Sequence, residues 1–337
     1  MPNTRTTKAA FEAFDEALNL DPRERSAAEH RHREVTDCLV GSGVAADTFL
    51  QGSFARKTMP KPLKDVDMII LLSPTHPISW NQRGGAVAAF EALRTAVQAD
   101  FPDAAFDLTK HADHALQVTF PDLPFTFDLV PALADPNGGE DVFIADRTLD
   151  RWERSNPRTL RRVILARNVS TVGTFVHQVR MLKAFRKHQP ALLDMSSLVM
   201  ESIGYAAILT RQSHAQALVA ALDWAAANIH GKVLDPTGVD DLSAEWTPAQ
   251  RSIYAQVFTE AAKRSHEALG LEADGEHDAA TEIWQTLLGE DFPAPAPQKY
   301  GDALAALAGG SITTAGRAVS SRQGNQLVRP GRSWRSA

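Results

Sequence analysis

The sequence predicts an α+β fold: a small mixed sheet with flanking helices, followed by a C-terminal helical bundle, with a cleft between the two halves. Two patterns carry this expectation. Up to Pro131 the chain offers short apolar runs with strand-like alternation and long connections between them, which suits a sheet of few strands. Beyond Pro131 the apolar residues recur at helical spacing in one segment after another. At 337 residues, 44% hydrophobic and 23% charged, the chain can bury a sizeable core in one bilobal unit or two closely joined domains.

Taken in order, residues 1–42 read as a helix bridging both halves. Phe11, Phe14 and Leu18 are spaced among charges and good helix formers, and Asp21-Pro22 should break the helix before it resumes. Residues 43–150 read as the α/β half. Strands are expected at Phe49-Leu50, from Val66 to Leu72, and near 106–110, 116–120 and 125–130, with a helix from about Gly84 to Ala99. Residues 151–308 read as the helical half, with helices over 157–166, 171–188, 196–209, 214–228, 247–269 and 278–288. Breakers such as Asp235-Pro236-Thr237-Gly238 separate them. Phe292 to Pro297 should form a stiff, extended connector before a short helix over 302–307. The tail 309–337 is rich in Gly, Ser and Arg and has no acidic residue, a composition that reads as a solvated, flexible end.

The chemistry is concentrated in the first half. Asp65 and Asp67 lie two apart at the mouth of an apolar strand, so both carboxylates face one way, about 7 Å apart along the strand. Asp128, in Phe127-Asp128-Leu129, occupies a second strand whose Phe125 and Phe127 alternate with Thr126 and Asp128. Brought beside the first strand, it completes a set of three carboxylates. Magnesium takes hard oxygen ligands shared among carboxylates, water and phosphates. A third carboxylate admits a second ion, and two ions roughly 3.5–4 Å apart can stabilise the attacking and leaving oxygens of an in-line displacement. Gly52-Ser53 supplies the other half, because glycine lets a backbone approach a phosphate and the Ser hydroxyl can donate to it. Ser53 is then a phosphate ligand and not a nucleophile. Gly-Ser and Asp-x-Asp are each common alone; their order and spacing give the signal.

Other chemistry is excluded or weak. Cys38 is the only cysteine, which rules out an internal disulfide and a zinc site built on cysteine pairs. The 11 histidines show no metal-binding helix pattern with an adjacent Glu. A formal charge of −6 argues against coating nucleic acid, while leaving room for a local basic groove. No apolar run approaches the roughly 18 residues of a membrane span, and Ala9 to Glu12 has no signal-peptide core, so a cytoplasmic protein is expected. Lys57, Lys61 and Lys64 read equally as nucleotide-attracting charges or a solvated face, and Trp152 as a buried indole ahead of a base-stacking one.

The run Leu50-Gln51-Gly52-Ser53-Phe54-Ala55-Arg56-Lys57-Thr58, then Asp65-Val66-Asp67, then Phe127-Asp128-Leu129-Val130-Pro131-Ala132, resembles the polymerase-beta-like nucleotidyltransferase superfamily. Within it the chain is most similar to the cGAS/DncV-like nucleotidyltransferases, the CD-NTases of bacterial CBASS anti-phage defence. Trp152 to Pro157, Leu182-Lys183-Ala184-Phe185 and Ser197 to Glu201 continue the likeness, which spans about Phe49 to Ile208. It implies a polymerase-beta-like fold and synthesis of a cyclic di- or trinucleotide second messenger from NTPs (ATP, GTP or pyrimidine NTPs), with two Mg²⁺ or Mn²⁺ ions on Asp65, Asp67 and Asp128. It further implies Gly52, Ser53 and Lys183 on the donor phosphates, Ser197 near the nucleotide and Glu201 as a structural partner. The product would act on a downstream effector. The family also offers a second reading of the tail, capture by a ubiquitin-like conjugation enzyme with Ala337 as the conjugated residue. The basic, proline-bearing stretch from Met59 to Lys64 departs from the pattern and reads either as part of an acceptor pocket or as a loop. Two other functions stay open: a nucleotidyltransferase making linear oligonucleotides or modifying RNA or a small molecule, for which no RNA groove is visible, and a non-catalytic nucleotide-binding antitoxin or sensor.

Overall fold

Asp21 and Pro22 separate α1 (Thr7–Leu18) from α2 (Pro22–Gly41) in the computed structural model, which describes residues 6–109 and 113–295. Proline at the first helical position loses no hydrogen bond there, and the Asp21 carboxylate accepts from the Arg23 N–H at 2.8 Å, so the second helix starts where the first cannot continue. The two helices serve different cores. Phe11 of α1 meets Trp284 and Phe292 edge-on, at 5.1 and 5.0 Å between ring centroids, and Phe14 meets Phe292 at 5.2 Å, all within the helical half. Ala28, Val35 and Leu39 of α2 pack instead beneath the sheet. Each large side chain so buried contributes about 1.5–3 kcal/mol.

The sheet comprises β1 (Ala45–Leu50), β2 (Asp65–Leu72), β3 (Ala105–Asp107), β4 (Leu116–Thr119), β5 (Thr126–Ala134), β6 (Val142–Asp146) and β7 (Arg151–Ser155). The order is β1-β2-β5-β4-β3, with β6 on β5 and β7 on β6. Only β2 and β5 run parallel among these pairs, which makes the sheet mixed, as the sequence predicts. Alternation gives it two faces. Val66, Met68, Ile70, Phe127 and Leu129 pack at the back with α2 and with α4 (Gly85–Asp100). Ile69, Leu71, Val130 and Ala132 continue the line of the three carboxylates on the front.

β6 and β7 are not expected from the sequence, and with them the sheet runs past residue 150 to Ser155. β7 reads Arg-Trp-Glu-Arg-Ser, which lacks strand-like hydrophobicity. Its pairing with β6, Val142 against Ser155 through Asp146 against Arg151, makes it a strand, so neighbour contacts override local preference. The helical half follows as α5 (Pro157–Ser170), α6 (Phe175–His188), α7 (Ser197–Ala207), α8 (His214–Asn228), α9 (Pro248–Ala273) and α10 (His277–Leu288). α8 and α9 open with reciprocal capping boxes, Ser213 with Gln216 and Thr247 with Gln250. No helix among the described residues is long and apolar enough to cross a membrane. Lys110, His111, the end of the Phe292 to Pro297 connector, the expected helix over 302–307 and the tail with Ala337 lie outside the described residues.

Candidate active site

Parallel pairing of β2 with β5 puts Asp67 directly beside Asp128, and Asp65 beside Thr126. All three carboxylate-bearing residues therefore occupy the front of two adjacent central strands. Asp65 and Asp67 are partly exposed, whereas Asp128 is only 4% exposed. β4 explains the difference: it flanks Asp128 on the other side, and the Gln117 amide donates to Asp128 Oδ1 at 3.1 Å. The three aspartates offer hard carboxylate oxygens from one face of two adjacent strands. That donor chemistry fits divalent ions of the magnesium type, which take carboxylate oxygens shared with water and phosphates.

Gly52 is held against this group with no clearance. Gln51 N–H donates to the Asp67 carbonyl at 2.9 Å, which lays the turn after β1 along the start of β2. Gly52 has φ +69°, and a Cβ added there would lie 1.7 Å from Asp67 Oδ2. Glycine is required both for its backbone angle and for the contact. Gly52, Ser53 and Phe54 open the four-residue helix α3 (Gly52–Ala55), where the first N–H groups have no carbonyl a turn earlier to bond. Ser53 is partly exposed beside them.

The remaining expected site residues are placed as follows. Lys183, on α6, is 5% exposed, and its Nζ donates to Glu201 Oε1 at 2.7 Å and to Thr58 Oγ1 at 3.3 Å. Glu201, on α7, is fully buried and also accepts from Arg56 Nε and Nη2 at 2.7 and 3.0 Å and from Thr58 Oγ1 at 2.8 Å. Burial alone would push the Glu201 carboxyl up, but Lys183 and Arg56 outweigh it and hold it down to about 2. Burial pulls Lys183 below its usual value, with Glu201 only partly restoring it. The carboxylate is thus firmly ionised between two cations. Ser197 is exposed at the start of α7 and, four residues before Glu201, shares its helix face.

The stretch from Met59 to Lys64 is a loop pinned by buried Met59 and Leu63, with Lys61 N–H donating to the Leu18 carbonyl at 2.9 Å. Lys57, Lys61 and Lys64 are exposed. Trp152 turns to the back of the sheet, where its Nε1 donates to the Trp80 carbonyl at 3.1 Å, so it does not face the carboxylates. Cys38 is buried, its thiol donating to the Ala96 carbonyl at 3.4 Å, and burial with Asp100 nearby pushes it up to about 12, far from a nucleophile's range.

Three features escape sequence reasoning. The joining of Arg56 and Thr58 to Glu201 spans more than 140 positions and leaves no local pattern. Arg158 stacks over Phe49 at 4.0 Å in a cavity of about 420 Å³ that Arg161 and Arg162 also line. The i, i+3, i+4 spacing of those three arginines was the available signal. Finally, His114 meets Asp146 and Glu153 with ligand atoms within 4.8 Å of one another. The His114 Nδ1 lies 3.0 Å from the Ala145 carbonyl, and Arg151, which pairs with both carboxylates, is the cation seated there.

Residues 6–168 match SMODS, the Second Messenger Oligonucleotide or Dinucleotide Synthetase domain. No curated protein matches the chain. Among solved structures, the chain is similar to E. coli MS115-1 CdnC with ATP, at 15% identity over 87% of this chain and 100% of that one, with a TM-score of 0.68. It is also similar to the Bradyrhizobium diazoefficiens CD-NTase CdnG in complex with GTP, at 14% identity over 84% of this chain and 96% of the other, with a TM-score of 0.67. A mutant of the Vibrio cholerae di-nucleotide cyclase DncV matches at 13% identity over 83% of this chain and 94% of that one, with a TM-score of 0.64. At these identities the likeness is one of fold, and it bears out the α+β, polymerase-beta-like architecture.

Proposed function

We infer, from a chain whose residues 6–168 belong to the Second Messenger Oligonucleotide or Dinucleotide Synthetase family and whose fold is that of the cGAS/DncV-like nucleotidyltransferases, that this protein is a metal-dependent nucleotidyltransferase. It joins NTPs, releases pyrophosphate and closes a cyclic di- or trinucleotide second messenger for CBASS anti-phage signalling. The observation that carries this reading is the register of Asp67 against Asp128, with Asp65 on the same strand and Gly52 seated without clearance on Asp67. A binding protein has no need of three carboxylates aligned beside a phosphate turn.

Asp65, Asp67 and Asp128 would hold two Mg²⁺ or Mn²⁺ ions, which when bound supply charge neutralisation for the triphosphate and acidify the acceptor hydroxyl. The chain's own groups do the rest. Gly52 and Ser53 bind the donor triphosphate, Lys183 adds a positive charge behind them, and Ser197 borders the nucleotide. The acceptor hydroxyl oxygen attacks the α-phosphorus, its proton passes to the Asp128 carboxylate, and the bond from the α-phosphorus to the bridging oxygen breaks as pyrophosphate departs. A second transfer in the same cleft closes the ring. Positioning and charge stabilisation account for the catalysis, as in other phosphoryl-group chemistry.

The test is incubation of the purified protein with Mg²⁺ or Mn²⁺ and all four NTPs, then phosphatase treatment and mass spectrometry, beside an Asp65→Ala/Asp67→Ala control. A phosphatase-resistant cyclic mass absent from the control supports the cyclase and identifies its bases. Linear products favour the polymer-adding or small-molecule alternative. Nucleotide binding with no pyrophosphate favours the sensor.

A further inference from the structure

Glu201 and the three groups around it come from both halves of the molecule. Arg56 and Thr58 belong to the turn after α3, Lys183 to α6 and Glu201 to α7. They are all buried, at 8%, 0%, 5% and 0% exposure respectively. Two basic side chains share one carboxylate. The carboxylate in whose field both also lie is Asp67.

The turn itself connects this network to the phosphate cradle. Arg56 N–H donates to the Gly52 carbonyl at 3.2 Å, and Thr58 N–H to the Ser53 carbonyl at 2.9 Å. Between them Lys57 stands exposed with φ +62°, a left-handed angle that a lysine adopts only when its surroundings impose it. The kink sends the side chains on either side, Arg56 and Thr58, to the same Glu201 carboxylate. Holding those two side chains therefore holds the carbonyls, and with them the orientation, of Gly52 and Ser53.

We propose that Glu201 is a positioning residue for the donor phosphates: through Arg56 and Thr58 it sets the Gly52-Ser53 turn, and through Lys183 it aims the cation behind that turn. This rests on the reading of Gly52-Ser53 as the phosphate cradle. The bidentate grip on Arg56 is the part that a point charge cannot reproduce, since a guanidinium offers two parallel donors and an ammonium does not. Thr58 is the part that can be removed with least disturbance, because valine keeps its shape and loses only the hydroxyl.

The experiment uses the full chain with Mg²⁺ and non-hydrolysable analogues of the four NTPs, measuring Kd by calorimetry, together with KM, kcat and melting temperature for turnover. Arg56→Lys and Thr58→Val should raise Kd and KM for nucleotide about tenfold and about threefold, with kcat and melting temperature changing much less. Glu201→Asp should bind nucleotide more tightly than Glu201→Gln, because the charge returns though the reach is shorter. A fall in melting temperature with Kd and KM within twofold of the parent in both mild variants would show a purely structural brace and overturn the proposal. A parent protein that binds none of the four analogues overturns it together with the nucleotidyltransferase reading. Parent binding with inactive Asp65→Asn/Asp67→Asn and unaltered Arg56→Lys removes the network's role alone.

Discussion

Asp67 and Glu201 are both carboxylates pressed against the turn from Gly52 to Thr58, yet they face opposite conditions. Asp67 lies partly exposed on the front of a central strand, aligned with a second carboxylate and two residues from a third. Glu201 is sealed, with both oxygens engaged by a guanidinium, an ammonium and a hydroxyl. The first arrangement gathers negative charge where an added cation can neutralise it. The second already has its bonding partners supplied by the chain itself. One is suited to receive a ligand and the other to hold the frame around it, and the difference lies in exposure: Asp67 opens to the front of the sheet, and Glu201 is enclosed by its bonded partners.

That contrast can be broken by experiment. The largest effect should come from Asp65→Asn/Asp67→Asn, with product formation falling by at least about 10²–10³-fold and the melting temperature moving by only a few degrees, checked by pyrophosphate release beside thermal denaturation. A large drop in melting temperature with activity retained would reverse the roles assigned to the two carboxylates. Glu201→Ala should do the opposite to the frame, costing about 3–5 kcal/mol in denaturant titrations because two buried cations lose their partner. Acid sharpens the same point. Glu201 is held down to about 2 from an ordinary 4.5, so its contribution, of order 3 kcal/mol, is fully present above pH 4.5 and is lost as pH falls through about 2. Denaturant midpoints followed from pH 5 to pH 2 should fall less in a Glu201→Gln variant than in the parent. The smallest effect on stability, about 1–2 kcal/mol, is expected from Gly52→Ala, which places a side chain in a left-handed conformation and displaces Asp67. Its activity should fall at least about tenfold, since a shift near 1 Å at the reacting groups is costly.

The sequence makes the first carboxylate far more legible than the second. Asp65, Asp67 and Asp128 announce themselves because strand alternation is local and an acidic residue inside an apolar run needs a reason. The break at Asp21-Pro22 and the helices after Pro157 are equally local, written in caps and periodicity. Glu201 carries no such mark: its partners come from two other segments, the turn after α3 and α6, and only folding brings them to one point. The same holds for β7, whose charged residues become a strand because β6 lies alongside, and for Gly52, whose need to be glycine depends on how near Asp67 comes. Burial of Asp128 was likewise hidden, since it follows from Gln117 and β4 on the neighbouring edge.

The division of α1 and α2 between two cores has a mechanical consequence. Phe11 and Phe14 complete the interior of the helical half, Val35 and Leu39 that of the sheet half, and only Asn19 to Asp21 separates the two helices. With so short a link, and with Arg56 and Thr58 of the sheet half bonded to Glu201 and Lys183 of the helical half, unfolding of either half strains the other, so heat should melt them together. A calorimeter should record a single cooperative transition, and the segment from Thr7 to Gly41 acts as the tie rod that makes two folding units behave as one.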